Sequence, residues 1–377
     1  MKLVRDPLYR IIQIEDEFKS LVENPFFQRL RFIKQNANLF YVYPSAKHDR
    51  FSHCLGAYNL MTKVVNNNFL KLSLKQKFNL KAAALLHDIG HGAYSHTWER
   101  VRKDFDHEAV SCKIIREVYK LPEVADILEH KNELYPLISS VIDVDKMDYM
   151  SRDSYFCGVS YGMTDVDRIT AYLTIKDKKV LIPTKIVTSV EHLIIGRISL
   201  FQSLYFHHAI IAKDALLNSI FKRVSDLYSV GEKVFIDDLL KKMLYENFEL
   251  KDFLEFNDST VEYHLNKWKF SKDKILRDLT SRYLSEGKFI ALDLNTHSLD
   301  IKKIKKEISS KFPINYYYFD ETRKKNIYQS EALVKLNGKT VPLSQFSEHI
   351  KKIKDMHVNK RFIIGPAEIL KKYKNKF

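Results

Sequence analysis

A mainly α-helical protein with a smaller α+β C-terminal region is the architecture this sequence predicts, and three observations carry that expectation. Apolar residues recur at three- and four-residue spacing over most of positions 1–230, the pattern of helices that bury one face. Strand-like runs at 314–319 and 332–336, the second closed by Asn337-Gly338, gather near the C-terminal end. At 377 residues and 45% hydrophobic content, the chain is long enough to bury a large core with a smaller attachment. The expected division is a core over 1–230 and a helical and mixed region over 231–377, with no internal repeat.

In order, Asp6-Pro7 reads as a turn before Leu8, Ile11, Ile12 and Ile14, a short strand or hairpin. Helical spacing begins near Glu17 with Phe18, Leu21 and Val22, and Pro25 starts or interrupts a helix. A short basic and apolar helix covers 27–35. Tyr58, Leu60, Met61 and Val64 place His53 near the start of a buried helix. Another spans 78–89, with Ala82, Ala83 and Ala84 permitting close packing and His87 and Asp88 at its end. Helices follow at 108–119, 124–130 and 138–152. A hairpin is expected from 169–173 and 180–182, then one long helix over 186–219 whose Arg197, Phe201, Tyr205 and His208 share a stripe. Smaller helices are expected at 235–244, 258–268, 272–284 and 344–353.

Lys and Arg outnumber Asp and Glu by 62 to 47, a formal charge of +15 that would attract phosphate-bearing partners. A lysine-rich host proteome would give the same excess. The 21 Tyr and 24 Phe residues read first as core packing and only second as stacking surfaces for bases. Cys54, Cys112 and Cys157 lack metal-ligand spacing and read as core thiols of a reducing cytoplasm. With no apolar run long enough for a bilayer, the expectation is a cytoplasmic protein with no membrane association.

Chemistry concentrates in His53, in Leu85-Leu86-His87-Asp88-Ile89-Gly90-His91-Gly92, and in Asp143-Val144-Asp145. Imidazole and carboxylate suit Zn, Mn, Fe or Mg, and no cysteine cluster competes. Buried carboxylates in the 138–152 helix need charge compensation or a metal, and Asp145 and Asp148, three apart, can approach one side. Together, Gln28-Arg29-Leu30-Arg31 through Gln35, Arg50-Phe51-Ser52-His53-Cys54-Leu55-Gly56, the His87 segment and Asp143-Val144-Asp145-Lys146-Met147-Asp148-Tyr149 resemble the HD-domain superfamily. More narrowly, they look like its deoxynucleoside triphosphate triphosphohydrolase (dNTPase) group, most strongly over residues 6–220.

That resemblance implies an HD core, hydrolysis of a dNTP to deoxynucleoside and inorganic triphosphate, and one divalent ion, whether Fe, Mn, Zn, Mg or Ni. His53, His87, Asp88 and Asp145 are its implied ligands, with Asp143 left to support the helix or the surrounding shell. His91, His96, Glu99 and His107 are implied around the phosphate chemistry, Glu99 and His107 as the proton-transfer pair. Arg50, Lys146 and Tyr149 would contact phosphates, and Gln35, Asp153 and Tyr205 the sugar. Glu99 stands where the mammalian member has aspartate, and Asn36 where it has leucine. Arg197 adds positive charge or pairs with a helix carboxylate. Glu23, Gln28 and Arg31 match a nucleotide-activator site or else stabilise the first helix. A homo-oligomer is a further implication. Two alternatives stay open: an HD phosphohydrolase acting on another nucleotide or phosphate ester, and a nucleic-acid-binding or regulatory protein with weak or absent catalysis.

Overall fold

A computed structural model of the chain describes residues 1–297 and 299–374. It is predominantly helical, with a smaller mixed α+β region toward the C-terminal end. A hairpin of Lys2–Asp6 and Arg10–Ile14 comes first. Its turn is held by Asp6 Oδ1, which accepts from the backbone N–H groups of Leu8 and Tyr9 at 2.9 and 3.1 Å.

Three helices then build the centre. Asp49 caps Arg50–Val65 by accepting from Ser52 N–H. Ser73 and Gln76 form a reciprocal capping box at the start of Leu74–Leu86, whose buried Ala82, Ala83 and Ala84 pack close against the Arg50–Val65 helix. Val144–Cys157 starts at Asp143, whose carboxylate accepts from Lys146 N–H at 2.7 Å, and it packs on Arg50–Val65 as well. Gly56 makes that crossing possible: a Cβ there would lie 1.8 Å from Asp148 Oδ1 and 2.5 Å from Arg152 Nη2. Gly90 plays the same part beyond Leu86, since its Cβ would sit 2.3 Å from the His107 carbonyl.

Several sequence expectations are corrected. The third helix begins at Val144, because Asp143 is spent as its cap and 138–143 stays irregular. Residues 169–173 lie largely in the helix Val166–Tyr172, started by the Asp165 cap, so the hairpin is Thr174–Lys176 with Lys179–Pro183. The long helix over 186–219 is two, Val187–Leu200 and His208–Ser229, joined through a π-helical turn at Phe201–Tyr205. That break leaves His208 exposed and outside the stripe of Arg197, Phe201 and Tyr205. Residues 314–317 are helical and the strand is Phe319–Asn326. The 344–353 helix is two short ones, Leu343–Phe346 and Glu348–Ile353.

Two sheets complete the fold. Lys179–Pro183 pairs in parallel with Leu333–Leu336, which turns at Asn337-Gly338 into Lys339–Pro342. The other places His357–Pro366 between Phe289–Asp293 and Phe319–Asn326, all antiparallel. Among the described residues no helix is long and apolar enough to cross a membrane.

Candidate active site

The three central helices bring His53, His87 and Asp145 to one point. His53 Nε2 lies 3.2 Å from His87 Nε2 and 3.2 Å from Asp145 Oδ1, and His87 Nε2 lies 3.6 Å from that same oxygen. Each imidazole is turned by its other nitrogen. His53 Nδ1 meets Asp148 Oδ2 at 2.8 Å, and His87 Nδ1 meets the Ala84 carbonyl at 2.9 Å. With the proton on Nδ1 in both rings, the two Nε2 atoms, 3.2 Å apart, can each turn a lone pair toward a cation set between them.

A divalent ion fits. The point equidistant from the three atoms lies about 1.9 Å from each, close to the bond lengths of about 2.0–2.2 Å that imidazole and carboxylate ligands make to such ions. Asp88 borders the same point, its Oδ1 3.5 Å from His87 Nε2 and its Oδ2 3.6 Å from His53 Nε2. Its Oδ2 also pairs with Arg50, so Arg50 is committed to holding Asp88 as well as facing the cleft. Burial disfavours the charged forms throughout. The His53 and His87 imidazoles beside it nonetheless hold Asp145 well below the carboxylate range, and Arg50 does the same for Asp88. His53 is raised to about 10: its burial opposes protonation, but Asp145 and Asp148 outweigh it.

Asp148 and Arg152 form the shell beneath. Arg152 donates to both Asp148 oxygens at 2.9 Å and to Asp6 at 2.8 Å, and Tyr9 OH donates to Asp148 at 2.8 Å. The N-terminal hairpin is thereby fastened to His53. Asp143, fully buried, faces away into Lys146 Nζ at 2.7 Å and Ser140 N–H at 2.8 Å.

Beside the first cluster stands a second, His91, His96 and His107, also close enough together to hold an ion. His91 and His107 stack with ring centres 3.9 Å apart, and His91 Nε2 lies 3.3 Å from Asp88 Oδ1, which links the two clusters. Glu99 takes His107 Nδ1 on one oxygen and His96 Nδ1, at 3.0 Å, on the other. Partial burial would raise Glu99, but these two imidazoles hold it well below the usual carboxylate range. Tyr94 and Ser95, with φ of 58° and 53°, bend the backbone just before His96. Ser95 Oγ accepts from Arg50 Nε at 2.8 Å.

On the far side, Asp153 is saturated. Its Oδ1 contacts His48 Nε2 at 2.7 Å and accepts from Asn36 Nδ2 at 2.6 Å, while Oδ2 accepts from Tyr205 OH at 2.5 Å. Gln35 Oε1 is buried without a hydrogen-bond partner among the described residues. Tyr149 lies edge-on to Tyr205, and Arg197 donates to the Ile327 carbonyl at 3.0 Å rather than pairing with a helix carboxylate. Arg31 donates to Gln28 at 2.9 Å, while Glu23 meets Lys2 at 3.4 Å. Sequence reasoning missed Arg152, Tyr9, His48 and Ser95. Only Arg152, one turn past Asp148, carried a periodic signal.

Residues 50–153 match the HD domain, and residues 164–364 match the HD associated region. The chain belongs to the HD-domain family. The motif in this HD-domain protein is that of a metal-dependent phosphohydrolase. It is 31% identical over 317 residues to the uncharacterized protein YwfO of Bacillus subtilis, across 78% of this chain and 72% of that one. It is 26% identical over 321 residues to the deoxynucleoside triphosphate triphosphohydrolase SAMHD1 of Homo sapiens, across 69% of this chain and 51% of that protein. The crystal structure of a phosphohydrolase from Bacteroides thetaiotaomicron superposes with a TM-score of 0.88 at 26% identity, covering 97% of this chain and all of that one.

Proposed function

We propose that this HD-domain protein hydrolyses deoxynucleoside triphosphates to deoxynucleoside and inorganic triphosphate. The observation that carries the reading is the placement of the Glu99 and His107 pair against the His53, His87, Asp88 and Asp145 cluster, bridged by the contact of His91 with Asp88. The similarity to the deoxynucleoside triphosphate triphosphohydrolase SAMHD1 of Homo sapiens supports the substrate class.

His53, His87, Asp88 and Asp145 would hold a divalent ion, which when bound would supply Lewis acidity and a more acidic water. The chain's own residues do the rest. Lys146, Arg197 and Arg50 draw in the phosphates and fix the nucleotide, which removes orientational cost from the reaction. Gln35 offers its unpaired oxygen to a sugar hydroxyl, and Asp153, held by His48, Asn36 and Tyr205, presents a fixed wall beside it. Water adds its oxygen to the α-phosphorus, the bond from phosphorus to O5′ breaks, and a proton passes to O5′. His107 carries that proton on Nε2 because Glu99 occupies Nδ1.

Chromatographic product analysis over the common dNTPs and NTPs, with Mn, Fe, Mg, Zn and Ni in turn, tests the reading. Deoxynucleoside and triphosphate in equal amounts, lost in H87A and D88A, are expected. Stepwise orthophosphate release without triphosphate would overturn it. Self-association, and activation by a nucleotide bound near Glu23, Gln28 and Arg31, belong to the same reading. Sedimentation with and without dGTP checks both, and a mass unchanged from one chain under either condition counts against them.

A further inference from the structure

The cationic side of the cleft has a member that arrives from far along the chain. Strand Phe319–Asn326 is an edge of its sheet, and its side chains alternate: Asp320, Thr322 and Lys324 are exposed, while Glu321, Arg323 and Lys325 are partly buried. Glu321 and Arg323 pair with each other at 2.5 Å. Lys325 is different, for among the described residues it makes neither a salt bridge nor a hydrogen bond. Its ammonium lies 5.7 Å from the centre of the Phe201 ring, and the Arg197 guanidinium lies 5.7 Å from the same centre.

The strand is fastened there, since Arg197 donates to Ile327, two residues beyond Lys325. Lys146 completes the group. Burial, with Arg197 and then Lys146 close by, pushes Lys325 below the ordinary lysine value, and Asp145 acts the other way. Asp143 neutralises Lys146 at 2.7 Å, but no carboxylate pairs with Arg197 or Lys325 among the described residues. Like charges gathered on buried and half-buried side chains are costly unless an anion with several charges joins them.

We propose that Lys325, with Arg197 and Lys146, forms a clamp for the β- and γ-phosphates of the nucleotide, so that a strand of the HD associated region completes the site. This rests on the dNTP reading and adds a substrate requirement to it: the ligand carries a phosphate chain and not a single phosphate. Lys325 is a binding residue that touches the terminal phosphates and leaves the reacting phosphorus to the residues around the metal ligands.

The test is calorimetric binding of inorganic triphosphate to the metal-loaded protein, with K325M keeping the aliphatic stem, K325R keeping the charge, and K324M as the control on the opposite face of the strand. K325M should weaken binding by about tenfold or more, the usual scale for a lost charge-assisted contact, while K325R and K324M stay near wild type. In turnover, K325M should raise KM for the dNTP by the same factor with kcat little changed. Wild-type protein that hydrolyses dNTPs while K325M binds triphosphate undiminished would overturn the clamp and leave the proposed activity standing. Triphosphate binding that depends on Lys325, in a protein that releases no deoxynucleoside, would support the clamp and remove the activity. Wild-type protein that does not bind triphosphate overturns the clamp outright.

Discussion

Asp148→Asn isolates how much of the site is made by residues that never reach an ion. The carboxylate takes four hydrogen bonds: Tyr9 OH and Arg152 Nη2 on Oδ1, His53 Nδ1 and Arg152 Nε on Oδ2. An amide of the same shape has one acceptor, so whichever way it flips, an N–H faces an Arg152 donor together with either Tyr9 or His53. At least one charge-assisted bond is lost, about 1.5–3 kcal/mol, and the buried guanidinium keeps Asp6 as its one carboxylate among the described residues, a situation that costs about 3–5 kcal/mol when a buried pair is fully broken. The expected destabilisation is therefore about 3 kcal/mol. With about 2.1 cal/mol/K of unfolding entropy per residue, that lowers the midpoint of a chain this long by about 4 °C. With a neutral amide in place of the carboxylate, His53 is held less firmly, and Mn affinity should fall about 10- to 100-fold. Competition against a chromophoric chelator measures the affinity, scanning calorimetry the midpoint, and the exposed Asp167→Asn serves as control. D148N that binds Mn as tightly as wild type and unfolds at the same temperature would refute the reasoning.

Other outcomes follow from the same geometry. Glu99→Gln removes no atom near His53 or His87, so kcat should fall about 100-fold with metal content intact, and a parallel loss of metal would place Glu99 among the ligands. Gly56→Ala drives a methyl into Asp148 and Arg152, and should cost at least as much stability as D148N while emptying the site in metal analysis; a soluble variant with full metal content would show that the helices can part. His207 caps His208–Ser229 through an unprotonated Nδ1, and burial, with His208 and Lys360 nearby, depresses it to about 4. The folded protein then binds fewer protons than the unfolded one between about pH 6.5 and 4, so this contribution is present above pH 6.5 and lost as pH falls through 4. Allowing for partial exposure, about 1 kcal/mol should disappear between pH 7 and 5 in urea unfolding, and H207N, which keeps a capping acceptor, should flatten that dependence.

The sequence made the helical half readable because its apolar spacing is regular and its chemistry is carried by rare residues. His53 sits among Phe51, Cys54 and Leu55, and His87-Asp88 ends an apolar run, so each stands out. Asp148 was visible through its three-residue offset from Asp145. What stayed hidden depends on contacts between distant segments. Phe319–Asn326 reads Asp-Glu-Thr-Arg-Lys-Lys through its middle, polar on both faces, because one face meets solvent and the other meets a charged cleft; no alternation of apolar and polar residues marks it as a strand. Lys325 is one cation among 62. The π-helical turn at Phe201–Tyr205 keeps helical spacing on either side, so the break before His208 left no trace in the apolar pattern. His357–Pro366, the middle strand of its sheet, opens with His357, Asn359, Lys360 and Arg361 around a single valine, so no apolar run marks where it starts.

The parallel pairing of Leu181 with Leu333 has a practical consequence for anyone shortening this protein. A fragment that stops before residue 333 retains all the implied metal ligands but leaves one side of Lys179–Pro183 without a neighbour, with Val180 and Ile182, both buried in the intact chain, beside the gap. Open backbone next to branched aliphatic side chains is a template for chain-to-chain association, so such fragments should precipitate on expression even though every histidine of the motif is intact.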